Sequence, residues 1–161
     1  MERLYTPWRS AYVTSADAAS GCFLCEGPRA GDDARTLIVA RRERVYAILN
    51  LFPYNTGHVL VAPYEHGGDL VALDAATAAA LMALAQEVVG ALRAEYRPDA
   101  FNVGMNLGRP AGAGVPDHLH VHVVPRWTGD TNFMPVLGET KVLPESLEQT
   151  YARLRPILGP E

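Results

Sequence analysis

Asp117-His118-Leu119-His120-Val121-His122-Val123-Val124-Pro125-Arg126 is the stretch that decides how the rest of the chain is read. Three of the five histidines stand here, in strict alternation with Leu119, Val121 and Val123. Successive side chains of a β-strand point to opposite faces, so the pattern predicts three imidazoles on one face and a buried Leu/Val face on the other. Residues two apart on a strand lie roughly 6.5–7 Å from each other, which makes the row long enough to line a phosphate chain. Pro125 donates no ladder hydrogen bond, which predicts that the strand ends there or becomes an edge.

Just upstream, residues 104–114 carry four glycines in eleven positions. Glycines let backbone N–H groups turn toward an anion and let the chain approach it closely. Neither the G-x-x-x-x-G-K-[ST] phosphate loop nor the G-x-G-x-x-G dinucleotide fingerprint occurs. A glycine-rich loop alone is most often a plain turn. Joined directly to alternating histidines, it favours a phosphate-bearing substrate.

Further out, residues 36–40 (TLIVA) and 45–50 (VYAILN) are β-rich runs, and the charged RRER between them predicts a hairpin. Residues 53–57 (PYNTG) form a turn by composition, and 58–63 (HVLVAP) a third strand. A helix is expected over 74–96, with Leu81, Leu84, Val88 and Ala91 or Leu92 on one face and Pro98 as its stop. Residues 100–106 make a fourth strand, and 144–158 a second helix opened by Pro144. Linkers after Asn50 and Val124 are too short for crossover helices. The expected architecture is therefore α+β: an about five-stranded, mostly antiparallel sheet with one long central helix and a C-terminal helix. Residues 1–20, with Tyr5, Trp8 and Tyr12, read as an N-terminal arm, and 21–161 as one domain.

Apolar residues make up 48% and charged residues 20% of the chain, which excludes a disordered polymer. A net charge of −4 argues against a nucleic-acid polymer as partner, and an anionic substrate would need local donors. No apolar run approaches the ~18 residues of a membrane span, and the first residues lack the apolar core of a signal peptide. With only two cysteines, the expected compartment is the cytoplasm.

A neutral imidazole is a nucleophile and a proton carrier near pH 7. His-x-His on a strand is equally a route to catalytic zinc, and spacing alone does not separate the two. Cys22 and Cys25 form a Cys-x-x-Cys between Gly21 and Pro28; His66 and His118 are the free candidates to complete a zinc site with them. A nucleotide-binding scaffold without turnover is the reading from outside enzymology, although binding alone needs no intact nucleophile.

The run H-L-H-V-H-V-V resembles the histidine-triad signature, and the upstream N-L-F-P-Y-N-T-G-H-V-L-V-A-P resembles the family's second block. The arm Y-T-P-W-R and the tail P-R-W-T-G-D-T-N-F-M-P-V are similar to the bacterial branch related to diadenosine tetraphosphate phosphorylases. The resemblance implies an enzyme in which His120 attacks the α-phosphorus of an adenine nucleotide. The resulting nucleotidyl-histidine is then cleaved by inorganic phosphate, giving ATP and ADP from diadenosine tetraphosphate, or by water, giving AMP. It places His122 and His58 beside the nucleophile, Asn50 at the ribose, Asn106 near ribose and phosphate, and Gly112, Ala113 and Gly114 in the phosphate loop. It also implies a structural zinc held by Cys22, Cys25, His66 and His118, no organic cofactor, and a homodimer, which uses the 74–96 helix unless that apolar face packs on its own sheet. Many relatives have Ser or Thr where this chain has Gly114, so a hydroxyl contact to phosphate is missing.

Overall fold

The computed structural model describes residues 21–130 and 143–159. The arm over 1–20, residues 131–142 and residues 160–161 lie outside the described residues. Within them one sheet holds five strands: β1 (Ile38–Arg41), β2 (Val45–Leu49), β3 (Val59–Pro63), β4 (Ala100–Gly104) and β5 (Val121–Arg126), in the order β1-β2-β3-β5-β4. Every neighbouring pair is antiparallel. The α+β expectation is met, with β5 inserted between β3 and the edge strand β4.

Among the described residues, four α-helices accompany the sheet: α1 (Phe23–Arg29), α2 (Asp33–Thr36), α3 (Ala75–Tyr96) and α4 (Leu147–Leu158). The first two were not anticipated; the Cys-x-x-Cys segment is a short helix with Cys22 at its N-cap, although Pro28 stands inside it. α2 takes residues that read as the start of β1. Asp32 caps it by accepting the Arg35 N–H, and Leu37 then turns with φ +62° before the strand begins.

β2 and β3 are buried on both faces, so their sequence reads as continuous apolar runs rather than alternating ones. Val45, Ala47, Leu49, Val59 and Val61 pack with Val121 and Val123 against Leu81, Leu84, Val88 and Leu92 of α3 and Leu154 and Leu158 of α4. Tyr46, Ile48, Leu60 and Ala62 point to the other face and pack with Leu24 of α1. α3 is long and apolar enough to cross a membrane by length and composition, with a mean hydropathy of 1.6. Gln86 and Glu87 interrupt it, so it holds no continuous apolar run of that length. Here the helix packs its apolar stripe on β2, β3 and β5, so it is the core helix.

Asp74 starts α3 by accepting the N–H groups of Ala76 and Thr77, and Arg97 (φ +48°) ends it just before Pro98. α4 begins later than the Pro144 expectation. Ser146 and Gln149 form a reciprocal capping box, which satisfies N–H groups that Pro144 has no means to satisfy. Ser146→Ala is expected to lower the unfolding free energy by about 1 kcal/mol, read as a lower urea midpoint at unchanged slope.

Pro125 stays inside β5 but lies where the strand has become an edge on its β3 side, the second of the two expected outcomes. Its carbonyl accepts from Asn55 Nδ2 on the β3 side, where the β3 ladder has already finished at Val59↔Val123. The missing N–H points the same way, so no ladder bond is lost. On the other side Pro125 still pairs with Phe101 of β4.

Candidate active site and metal centre

The described β5 starts at Val121, so His118 and His120 precede the ladder. Leu119 N–H bonds to the Gly67 carbonyl at 2.8 Å, tying this segment to the loop after β3 instead. That loop comes very close. A Cβ on Gly68 would stand 2.3 Å from the Pro116 oxygen and 3.0 Å from Asp117 Cα, so only glycine permits the approach.

This juxtaposition gathers the four residues with metal-ligand chemistry. The first turn of α1 holds Cys22 and Cys25 together, with Cys25 N–H bonded to the Cys22 carbonyl at 2.8 Å. Cys22 Sγ lies 3.3 Å and Cys25 Sγ 3.4 Å from His118 Nδ1, and Cys25 Sγ lies 3.3 Å from His66 Nδ1. All four donor atoms fall within 4.8 Å of one another. Zinc–sulfur bonds of about 2.3 Å and zinc–nitrogen bonds of about 2.0 Å put donor atoms about 3.3–3.8 Å apart in a tetrahedron. The set fits. His118 Nε2–H donates to the Pro63 carbonyl at 2.9 Å, which leaves Nδ1 as the coordinating nitrogen. These four residues could hold a metal ion.

His118 is thus turned out of the imidazole row and into the metal cluster; it does not share a catalytic ion with His120 and His122. Its place in the row is taken by His58. His58 Nε2 lies 3.0 Å from His122 Nδ1, and the His120 and His122 ring centres are 4.9 Å apart. Directions of proton donation follow from the backbone. Tyr54 N–H bonds to His58 Nδ1 at 3.1 Å and can only donate. His58 therefore carries its proton on Nε2 and donates it to His122 Nδ1, leaving the His122 proton on Nε2.

His120 has the complementary arrangement. Its Nδ1–H donates to the His118 carbonyl at 2.8 Å, so Nε2 holds the lone pair. Burial holds both His120 and His118 below the ordinary imidazole range, only partly offset by their carbonyl bonds. Both rings are neutral at pH 7 on this account.

Asn50 is buried and engaged within the protein: Oδ1 accepts the Phe52 N–H at 3.0 Å, and Nδ2 lies 3.3 Å from His58 Nδ1. It shapes the 50–58 turn and holds His58. In the glycine-rich loop, a single 3-10 turn (Arg109–Ala111) uses up most of the expected donors. Ala111 and Ala113 N–H groups bond to the Gly108 carbonyl and Gly112 N–H to that of Arg109. Gly112 (φ +92°) and buried Ala113 therefore set the loop's shape. Asn106 Nδ2 donates to the Gly112 carbonyl at 3.3 Å and braces the loop from β4.

Beyond His122 opens a cleft of about 460 Å³, with Asn106 and Tyr54 at its walls and Arg126 at its far end. Tyr54 stacks on the His122 ring at 5.7 Å between centres. Arg126 donates through Nε and Nη2 to Asp130, and through Nη1 to Asn102 Oδ1 at 2.8 Å. That guanidinium, with the Trp127 N–H and the Asn55 amide, holds the Asp130 carboxyl well below the usual range. Tyr54, Asn55, Asn102, Arg126 and Asp130 belong to this site although no sequence motif assigns them a role in it. One signal was available: Arg126 stands four residues after His122 and so shares its face.

A sheet with its two long helices on one face, an imidazole chain on the other and a four-residue Cys/His cluster beside it defines a small α+β protein. A family model described as the HIT domain matches residues 32–129. An AP-4-A phosphorylase of Mycobacterium tuberculosis (strain ATCC 25618 / H37Rv) is 42% identical over 158 residues, covering 93% of this chain and 80% of that protein. Among solved structures, a Zn-bound histidine triad family protein from Mycobacterium smegmatis aligns with a TM-score of 0.69 and 27% identity, over 86% of this chain and 93% of the other. A hypothetical histidine triad nucleotide-binding protein from Sulfolobus tokodaii strain7 aligns at 0.70 and 28%, over 85% and 91%. The chain belongs to the HIT family.

Proposed function

We propose that this protein transfers a nucleotidyl group from the α-phosphate of an adenine nucleotide, by way of a covalent intermediate on His120, to inorganic phosphate. The observation that carries the reading is the His120 bond to the His118 carbonyl, which fixes Nε2 as the free lone pair. In the first step His120 Nε2 bonds to the α-phosphorus and the bridging P–O bond breaks, releasing ATP from diadenosine tetraphosphate. His122, whose tautomer is fixed through His58 by the Tyr54 N–H, donates its own Nε2 proton toward the departing oxygen. In the second step a phosphate oxygen bonds to the same phosphorus, the N–P bond breaks, and ADP leaves. The similarity to the mycobacterial AP-4-A phosphorylase supports this substrate and acceptor.

Asn50 and Asn106 act here by holding His58 and the loop beside the ribose and phosphates, with Gly114 N–H offered to the anion. Cys22, Cys25, His66 and His118 hold a zinc ion whose four protein ligands leave no open position, so its role is structural. The similarity to the Zn-bound mycobacterial structure supports the choice of metal. Residues 21–161 act as one domain in the cytoplasm, with 1–20 as its arm. A homodimer would use β4, whose residues are largely exposed at the sheet edge, rather than α3.

Product analysis tests the reading. Diadenosine tetraphosphate with millimolar phosphate is expected to give ATP and ADP faster than it gives AMP. If AMP remains the sole product from the adenylyl group across a phosphate titration, the acceptor is water and the protein is a hydrolase.

A further inference from the structure

We propose that the cleft beyond His122 is the subsite for the departing half of the substrate and takes the distal nucleoside of a dinucleoside polyphosphate, an inference resting on the nucleotidyl-transfer reading above. Direction is the first ground. His122, Val124 and Arg126 follow one another along one face of β5, and their partners Gly104 and Asn102 on β4 share that face. All five line the cleft, and His120 does not. An in-line displacement sends the leaving oxygen away from the incoming nitrogen. A phosphorus within reach of His120 and beside His122 therefore expels its leaving group into this cleft.

Size is the second ground. From His122 to Arg126 is four residues, or roughly 13 Å of strand. The volume of about 460 Å³ suits a nucleoside-sized ligand and far exceeds a single phosphate or amine.

The lining chemistry is the third. Arg126 is neutralised by its two-point pairing with Asp130, so the far end carries little net charge for a polyphosphate. It offers amides from Asn55 and Asn102, with apolar surface from Tyr54, Met105 and Val124. That combination suits a base and ribose, with the phosphates crossing near His122 and Asn106.

The test compares diadenosine tetraphosphate with adenosine 5′-tetraphosphate, which has the same phosphates and no second nucleoside. Calorimetry on His120→Ala protein avoids turnover. The dinucleotide is expected to bind at least about tenfold tighter, well above its statistical factor of two. Gly104→Leu should bring the ratio near one: a Cβ there meets nothing within 4 Å, so the added side chain enters the cleft without displacing the backbone. Asn102→Ala, on the exposed edge strand, should lower the ratio severalfold and keeps the test decisive if Gly104→Leu does not fold. A ratio near one in the His120→Ala parent, or one that both substitutions leave intact, would overturn the subsite. Turnover by the unmodified protein is scored separately: the expected ratios without phosphorolysis would keep the subsite and remove the transfer reading.

Discussion

His120→Ala is expected to lower kcat for diadenosine tetraphosphate by about three orders of magnitude or more while nucleotide still binds. Three orders correspond to about 4 kcal/mol of transition-state stabilisation. Loss of this size is expected because a covalent route has no substitute nucleophile on the described face. His118 is turned into the metal cluster with Nδ1 toward two thiols, and His58 and His122 are bonded to each other. The substitution also leaves the His118 carbonyl without its imidazole donor, so stability is to be measured alongside. A modest drop in the unfolding midpoint with intact nucleotide affinity separates lost chemistry from lost fold. His120→Gly with an imidazole-activated nucleotide adds a gain-of-function check, since the substrate then carries the missing ring. Near-normal turnover by His120→Ala would remove the nucleophile assignment altogether.

Much of this site could be read before folding, and the reason is local. The alternation of His118, His120 and His122 with Leu119, Val121 and Val123 encodes a period-2 face, and the Leu/Val half is buried as expected. The metal quartet was legible from residue types, because Cys-x-x-Cys on one turn needs only two more donors. Misplaced features depend on long-range contacts. The Gly67 carbonyl takes the Leu119 N–H, 52 positions away in sequence, and so keeps His118 and His120 out of the ladder. The donors of the glycine-rich loop turned inward because one 3-10 turn satisfies them, which composition does not encode. Asn102 meets Arg126 only because β5 inserts beside β4. Pro125 was legible as an edge position, because the β3 ladder has finished at Val123 and asks for no N–H there.

Purified protein from metal-replete expression is expected to contain one zinc per chain, and stripping it is expected to destabilise the fold before it alters nucleotide chemistry. The donor distances and the His118 Nε2–H bond to Pro63 describe a closed four-ligand site. Removal frees two thiols held close together, of which burial and the neighbouring Cys22 push Cys25 up. It also unties α1, the loop bearing His66 and the segment before β5, three pieces of chain that meet at this cluster. Because a separate hydrophobic core remains on the helical face, a loss of a few kcal/mol is expected, which in a domain of this size lowers Tm by about 10 °C. Activity should fall as a consequence of position: the His118 carbonyl aims His120, so a His118 no longer fixed by metal holds the nucleophile less firmly. His120→Ala must retain the full metal content, since its ring is directed away from the cluster. A stoichiometry near zero would make Cys22 and Cys25 ordinary half-buried thiols. Loss of kcat on chelation with an unchanged Tm would point instead to a metal acting on the phosphates, and the structural assignment would fall.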